Sequence, residues 1–182
     1  MVTWRNSRAP LFFLTGMSLG VWGCAPESAF GPASGQEGAN LGVGVAHEPN
    51  DAELVVHDLV NDYRLDAGLD PLEFDDTVGA MARAHSEDMA SGTLALGHAG
   101  FTERAEDVLD EVYGSTSVGE NVGRINGEDR EEDAAAAMLE YWMESPDHDE
   151  NMLHADWDLG GVGAAEAEDG SWYFTQLFVG VQ

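Results

Sequence analysis

The chain has 182 residues, of which 35 are Asp or Glu and only seven are basic, all of them arginine. A surface this acidic repels nucleic-acid phosphates and anionic lipid headgroups, because it has no basic patch with which to meet them. The composition therefore argues against nucleic acid as a partner, and it indicates either a salty habitat, where ions screen the repulsion, or a lineage with acidic exported proteins.

The amino terminus has the order of a secretory signal peptide. Two arginines precede an apolar run over residues 10–22, which is shorter than the ~20 residues that a membrane-spanning helix needs. The sequence Val-Trp-Gly-Cys at 21–24 resembles a bacterial lipobox, which would make Cys24 the lipidated first residue of the mature protein, although Trp22 is larger than usual there. The alternative is an ordinary cleaved signal with an incidental cysteine.

The composition divides the chain into a leader at residues 1–24, a flexible linker rich in Gly, Ala, Ser and Pro at 25–50, and one domain at 51–182. Cys24 is the only cysteine, so no disulfide can stabilise the exported domain and a packed core must do so. We expect a monomeric domain that is either a cell-envelope lipoprotein or an extracellular protein. Its attachment to a membrane would be the lipid anchor at Cys24.

Two amphipathic helices are predicted at the start of the domain. Asp51 can cap the first helix, whose apolar residues recur at steps of three and four until Gly68 ends it. One of the residues 75–77 (Asp, Asp or Thr) can cap the second helix, which Gly92 ends.

Three histidines are expected to be structural or exposed. His85 lies on the apolar stripe of the second helix and is predicted to pack there rather than to catalyse. His57, on the first helix, is predicted at the surface or its boundary, and His154 lies in a polar stretch where it is predicted to be exposed. His98 and His148 remain as candidates for a functional site.

The central part of the domain is predicted to bring candidate residues to the ends of short elements. His98 lies in the sequence Gly-His-Ala-Gly, where the glycines leave the backbone open to close approach. A third helix is predicted over residues 101–113, and a strand over residues 119–125 carries Glu120.

An alanine-rich fourth helix follows this strand. Asp129 or Asp133 can cap it, and Pro146 is expected to end it. Residues 147–151, among them His148, are therefore expected to form an irregular loop.

The chain closes with a predicted hairpin. Asp-Gly at 169–170 separates two strand-like runs over residues 159–167 and 171–181. The last strand is apolar on both faces, so the sheet is expected to be covered on both sides. The predicted fold is α+β, a three-layer α-β-α sandwich with a small, mostly antiparallel sheet.

Short motifs recur along residues 51–182 in an order and spacing that resemble one family. They are VNDYR at 60–64, GL at 68–69, PL at 71–72, AHSEDM at 84–89, HAGF at 98–101 with Arg104, GEN at 119–121, Trp142, SPDH at 145–148 with Asn151 and Leu153, GVG at 161–163, and YFTQ at 173–176. The family is the SCP-like or CAP superfamily of cysteine-rich secretory and pathogenesis-related proteins, in its bacterial branch.

The resemblance implies an α-β-α sandwich with a cleft that holds two histidines and a glutamate. These fall on His98, Glu120 and His148 in this sequence. Ser145 lies where animal and plant relatives have a further glutamate, and Gln176 on the last strand is expected beside the cleft. The resemblance also implies a binding or signalling module more than an enzyme.

Two imidazoles and one carboxylate are the ligand set of an open zinc-type site. His98, Glu120 and His148 could therefore hold a divalent metal such as zinc, although the sequence has no H-E-x-x-H pair. The alternative is a polar cluster in which each histidine donates to Glu120 or to a backbone carbonyl. Arg104 is expected to pair with a buried acid, and Asn121 to bond the backbone of an adjoining loop.

Three functions stay open. The first is a binding module that recognises a protein, a small lipid or an envelope component, and the resemblance favours it. The second is a metal-assisted hydrolase, and the third is a structural envelope lipoprotein with a vestigial cleft. Ser145 near His148 suggests a nucleophilic dyad, but Ser-Pro more commonly stops a helix, and Cys24 lies in the leader, so the catalytic residues are unknown.

Overall fold

The computed structural model describes residues 48–128 and 130–182. The predicted leader, most of the linker, the lipobox residue Cys24 and the possible helix cap Asp129 lie outside them. None of the helices in the described part is long and apolar enough to span a bilayer. The elements in chain order are α1 (Asp51–Asp66), β1 (Glu73–Phe74), α2 (Asp76–Ala90), α3 (Phe101–Glu111), β2 (Ser115–Ile125), α4 (Glu131–Met143), α5 (Pro146–Met152), β3 (Leu159–Glu166) and β4 (Trp172–Val181).

The four strands form one sheet in the order β1-β3-β4-β2. β3 and β4 are the predicted antiparallel hairpin, and β2 pairs antiparallel with the other side of β4. The short β1 pairs parallel with β3. β2 is consequently an edge strand, with no strand of the described residues paired on its outer side. Its side chains alternate between the two faces of the sheet, so segments on either face can contact them.

Helices cover both faces of this sheet. On one face, Phe174 and Phe178 of β4 share a core with residues of α1 and α4, including Trp142. On the other face, Leu177 and Val179 share a core with residues of α2 and α3. The two-sided burial predicted for the last strand is therefore confirmed, and the fold is the predicted α-β-α sandwich.

Helix α2 lies against the backbone of β3, because the strand presents glycine to it. A Cβ added to Gly161 or Gly163 would collide with the backbone of α2. Ser86 on α2 also donates from Oγ to the carbonyl oxygen of Gly163 at 2.9 Å. A larger residue at either position would push α2 away from the sheet and displace the following loop, which carries His98.

Helix α1 begins with a capping box, and its N-cap is Asn50 rather than the predicted Asp51. The side chain of Asn50 accepts from the backbone N–H of Glu53 at 3.0 Å, and the backbone N–H of Asn50 donates to Glu53 Oε2 at 2.9 Å. Glu53 is fully buried and also accepts from Arg83 Nη2 at 2.5 Å and from Ala164 N–H at 2.9 Å. This carboxylate joins α1 to α2 and to β3.

Other element ends follow the sequence signals with shifts. Asp75 caps α2 by accepting from Val78 N–H at 2.9 Å, within the predicted range. Helix α3 ends at Glu111, earlier than expected. β2 starts at Ser115 rather than at 119, because β4 extends far enough to place Val181 opposite it.

Pro146 ends α4 as predicted, but it also begins another helix. It is the first residue of α5, so the expectation of an irregular loop over residues 147–151 was wrong. Proline suits the first helical position, since it has no N–H to leave unpaired and its φ is already helical. At the start of α4 the N-cap is Arg130, and Asp133 lies in the first turn instead. His148 is therefore held by a helix.

His57 is buried, with 7% exposure, which corrects the prediction that it lies at the surface or its boundary. Its Nε2 accepts from Asn61 Nδ2 at 3.0 Å, because the amide nitrogen can only donate, and its ring stands edge-on to Phe74. Burial lowers the pKa of His57, so the ring is held neutral between α1 and β1. His154 is exposed as predicted and lies against the ring of Trp157.

Arg64 fixes the segment that follows α5. Its side chain is buried, with 1% of the residue exposed, and it donates to the carbonyl oxygens of Asp70, Met152, His154 and Trp157 at 2.8 to 3.3 Å. Burial lowers its pKa. The guanidinium thus ties the end of α1 to the segment between α5 and β3.

Candidate functional site

The candidate site is built on the edge strand β2, where Glu120 faces α2 and α3. Glu120 is paired with Leu177 in the sheet register, and residues directly opposite on antiparallel strands share a face. Leu177 belongs to the core beneath α2 and α3. The side chain of Glu120 is 1% exposed, so its charge has to be compensated by protein groups.

Arg104 and His98 supply that compensation. Arg104 donates from Nη2 and Nε to Oε2 of Glu120, at 2.6 and 2.9 Å. His98 Nδ1 lies 2.8 Å from Oε1 and donates to it, since a carboxylate beside an arginine accepts. Arg104 also holds Ala99 O through Nη1 at 2.9 Å. The expectation that Arg104 pairs with a buried acid is confirmed, and both oxygens of Glu120 are occupied.

The backbone of the loop that carries His98 is held in place by the conformation of Gly100 and by a hydrogen bond from His85. Gly100, the N-cap of α3, adopts φ 75°, a left-handed conformation that glycine takes without strain. His85 Nε2 donates to the carbonyl oxygen of Gly97 at 2.9 Å. His85 is 2% exposed and packs in α2 as predicted, but it also positions this loop. Its pKa is lowered first by burial and then by the charge of Arg104.

His98 itself reaches solvent, with 53% of its side chain exposed. Its Nδ1–H is bound to Glu120, which fixes the ring orientation and leaves Nε2 outside that contact. A metal-binding histidine usually gives its other ring N–H to a carboxylate in the same manner. The imidazole is therefore oriented with Nε2 on the side away from Glu120.

Two asparagines tie α5 to the other face of the same strand. Asn121 Nδ2 donates to the carbonyl oxygen of His148 at 3.0 Å, which confirms the expectation that Asn121 bonds an adjoining segment. Asn151 Nδ2 donates to Asn121 Oδ1 at 2.9 Å and to Glu120 O at 3.2 Å. One short stretch of β2 thus holds Glu120 on one side and α5 on the other.

The His148 ring packs beside Tyr141 and Trp142, with ring centroids 5.9 and 6.5 Å away. Its pKa is lowered first by burial and then by the charge of His98. The second effect requires the two imidazoles to lie near each other, although no atom of one bonds the other. Two imidazoles at one edge of the sheet can bind a cation or accept from a hydrogen-bond donor when they are not protonated.

Ser145 and Gln176 have positions that differ from those expected of open cleft residues. Ser145 is the N-cap of α5, is half-buried, and makes no side-chain capping bond. Gln176 is fully buried on β4, opposite Asn121. Ser145 therefore borders the site, whereas Gln176 lies beneath it.

A three-ligand metal centre does not fit this arrangement. Within residues 48–128 and 130–182, no group of three His, Cys, Asp or Glu side chains is placed so that it could hold a metal ion. Both oxygens of Glu120 are already bound by His98 and Arg104. Of the two alternatives left open by the sequence, the polar cluster describes the contacts of Glu120.

The contacts of several site residues were not predicted from the sequence, although Tyr63, His85 and Asn151 belong to the motifs that carry the resemblance. Tyr63 on α1 donates from its hydroxyl to Asp149 Oδ1 at 2.7 Å, and that bond is the largest cause of its raised pKa. Asn151 follows His148 by three residues, a helical spacing that would have indicated α5. Tyr141 showed only a packing pattern.

Two cavities of the described residues lie away from these groups. One of 590 Å³ is lined by the end of α2 and the β3–β4 hairpin, including Glu87 and Tyr173. The other, of 390 Å³, is lined by residues near the chain end, including Asp158 and Gln182. Neither of these two cavities is lined by His98 or His148.

Comparison with known proteins supports the resemblance. The model of the cysteine-rich secretory protein family (CAP) matches residues 57–178. The uncharacterized protein YkwD of Bacillus subtilis is 32% identical over 130 residues, which are 70% of this chain and 47% of that protein. The chain thus spans about half the length of this curated relative.

Solved structures share the fold. An outer surface protein from Borrelia burgdorferi matches with a TM-score of 0.60 and 17% identity, over 74% of this chain and 96% of that chain. An extracellular protein containing an SCP domain from Bacillus anthracis matches with a TM-score of 0.54 and 25% identity, over 70% of this chain and 40% of that chain.

Proposed function

Because the chain belongs to the cysteine-rich secretory protein (CAP) family, we propose that it is an exported binding module whose ligand docks on the imidazoles of His98 and His148. His98 supports the proposal because its ring is half exposed and held in one orientation. His148 supports it because its ring lies at the same edge of the sheet, beside Tyr141 and Trp142, and burial lowers its pKa. Orientation before binding reduces the entropy lost when a ligand docks.

The occupied carboxylate of Glu120 is the observation that carries this proposal. A hydrolase needs a general base or a metal-bound water within reach of its substrate. Glu120 is 1% exposed and bonded at both oxygens, so it is not placed to take a proton from a substrate or from water. The contacts favour binding over hydrolysis.

The proposal still includes a divalent metal, but with His98 and His148 as its only protein ligands and without Glu120. The two imidazoles would bind the ion, and Glu120 would orient His98 from behind. Imidazole nitrogens suit zinc, but two protein ligands without a carboxylate give weak, exchangeable binding. Such a site would serve ligand recognition rather than a resident catalytic metal.

Export and anchoring are proposed from the leader and from one relative. The Bacillus anthracis protein is described as extracellular, and the lipobox-like end of the leader places a single cysteine, Cys24, where a lipid would be attached. Metabolic labelling with a tagged fatty acid tests the anchor: Cys24→Ser should lose the label. Unlabelled wild-type protein would overturn the lipid anchor while leaving export intact.

Zinc titration by calorimetry tests the binding function. The protein should be titrated at raised salt, because its many acids attract any cation. We expect weak binding to the wild type and none to His98→Ala or His148→Ala. His154→Ala is the matched control, since His154 is exposed and lies outside the site. Binding that survives both site variants would contradict the proposal.

A further inference from the structure

Three side chains near β4, α4 and α5 have buried polar atoms that lack a hydrogen-bond partner among the described residues. The atoms are Nε2 and Oε1 of Gln176, Nε1 of Trp142, and Nδ1 of His148. Gln176 and Trp142 are fully buried. Since buried amides, indoles and imidazoles nearly always have a partner, these atoms indicate a ligand that is neither side chain nor backbone.

The sheet register brings Gln176 and Trp142 together. Gln176 is opposite Asn121, and Gly123 lies two residues further along β2 on the same face. Nε1 of Trp142 sits over Gly123, so close that a Cβ there would be 3.1 Å from it. Diagonal neighbours on paired strands are ~7–8 Å apart, a distance that a glutamine side chain can largely cross.

His148 borders the same space from α5. Asn121, the neighbour of Gln176, donates to the carbonyl oxygen of His148 at 3.0 Å. The His148 and Trp142 ring centroids are 6.5 Å apart. The His148 ring therefore lies near the indole of Trp142 and is held by the neighbour of Gln176, and the same ring belongs to the candidate site.

We propose that a buried water site lies between β2, β4, α4 and α5, and that its water bonds the indole of Trp142, the amide of Gln176 and Nδ1 of His148. The indole can only donate, whereas the amide both donates and accepts. A water molecule, with two donors and two acceptors, matches this set. Polar atoms that approach each other without bonding directly are the usual setting of a bridging water.

Gln176 thereby becomes a positioning residue for His148. If Nδ1–H donates to the water, the unprotonated nitrogen of the neutral ring is Nε2. The bond to the water therefore decides which ring nitrogen can accept from a ligand in the cleft. This consequence rests on the proposed function, because it supposes that His148 meets a ligand in the cleft.

NMR of the ligand-free protein tests the water directly. A long-lived buried water should give a nuclear Overhauser cross-peak to the indole N–H of Trp142. Trp157 is an internal control, because its indole N–H donates to Asn151 O at 2.9 Å and should show no such peak. A spectrum without a water peak at Trp142 would overturn the proposal.

Variants test the role of the amide. Gln176→Leu approximately keeps the side-chain volume and removes both polar atoms of the amide. It should weaken the water peak at Trp142 and convert His148 from mainly the Nδ1–H tautomer to a mixture of tautomers. The ring ¹⁵N shifts of His148 report the tautomer population. Thr175→Val is the control, since Thr175 is equally buried but bonds Ser86 on the opposite face. Unchanged tautomer populations in Gln176→Leu would refute the positioning role.

Trp142→Phe provides a second route if Gln176→Leu does not fold. This substitution removes the indole N–H but keeps an aromatic ring at position 142. It should also shift the tautomer population of His148. The zinc titration is read separately. The water peak and the tautomer test the buried water, and the zinc titration tests the proposed function. If the first two behave as expected but no zinc binds at His98 and His148, this inference is supported and the proposed function is contradicted.

Discussion

Removal of Arg104 should destabilise the fold far more than its position near the surface suggests. Arg104→Met keeps the length and the apolar stem of the side chain but leaves Glu120 with His98 alone. The Glu120 side chain is 1% exposed and that of Arg104 is 13% exposed, so this pair is buried. Breaking a buried pair by removing one partner costs about 3–5 kcal/mol, a large part of the about 5–15 kcal/mol by which domains are stable.

Replacement of both partners should recover most of that loss. In Arg104→Met with Glu120→Leu no charge is left buried without a partner, and apolar replacements of buried pairs are often neutral or stabilising. We expect the double variant to be more stable than Arg104→Met alone. The order of stabilities separates the penalty of an unpaired carboxylate from simple loss of packing.

Urea unfolding at pH 7, followed by tryptophan fluorescence, measures both free energies. Arg130→Met is the control, because Arg130 is 66% exposed in its contacts with Glu132 and Asp133, and such surface pairs contribute little. It should leave the unfolding midpoint unchanged. A loss below about 1 kcal/mol for Arg104→Met, or a double variant less stable than the single one, would refute the reasoning.

Three further outcomes follow from the structure. The free energy of unfolding should be constant above pH 6.5, the ordinary histidine pKa, and fall below it by at most about 1.4 kcal/mol per pH unit for each of His57 and His85, because their lowered pKa values make unfolding take up protons. In a urea series between pH 7 and 5.5, His85→Leu should reduce the slope but leave the His57 contribution, and His154→Gln should leave the slope unchanged. The melting temperature should rise between low and molar sodium chloride, since salt screens the acidic surface; a constant value would disprove this. Gly163→Ala should cost about 1–3 kcal/mol by overpacking against α2, and a urea midpoint equal to that of the wild type would contradict it.

The sequence predicted an element of the fold correctly where a single local signal decides its structure. Asp-Gly at 169–170 lies between two apolar strands, and the hairpin follows. Gly68 and Gly92 end α1 and α2 because both adopt left-handed φ, at 80° and 76°. The two-sided apolar pattern of β4 required helices on both faces of the sheet, and the α-β-α sandwich provides them.

Predictions failed where distant parts of the chain decide. The start of β2 depends on how far β4 continues, since Ser115 is a strand residue only because Val181 lies opposite. Pro146 carries the same signal whether it stops one helix or begins the next, and here it does both. His57 has charged neighbours in sequence but is buried by Phe74, a contact that local patterns do not encode.

The residues of the site were more predictable than their connections. Motif order predicted His98 and Glu120 at one edge, where the two side chains are in contact, and Arg104 was expected to pair with an acid. The sequence did not show that this acid is Glu120, which lies 16 residues away along the chain. Because a carboxylate can bind a metal, act as a base or neutralise an arginine, its role depends on which partner folding brings to it.

The free energy of this pairing also limits what Glu120 could do chemically. To act as a base it would have to leave Arg104 within its buried site, at a cost near the about 3–5 kcal/mol of a broken buried pair. At 1.36 kcal/mol per tenfold in rate, that cost would slow any such reaction by roughly 10²–10⁴-fold. A pairing measured below about 1 kcal/mol would remove the obstacle and return hydrolysis to consideration. The stability of Arg104→Met therefore bears on function as directly as a ligand titration does.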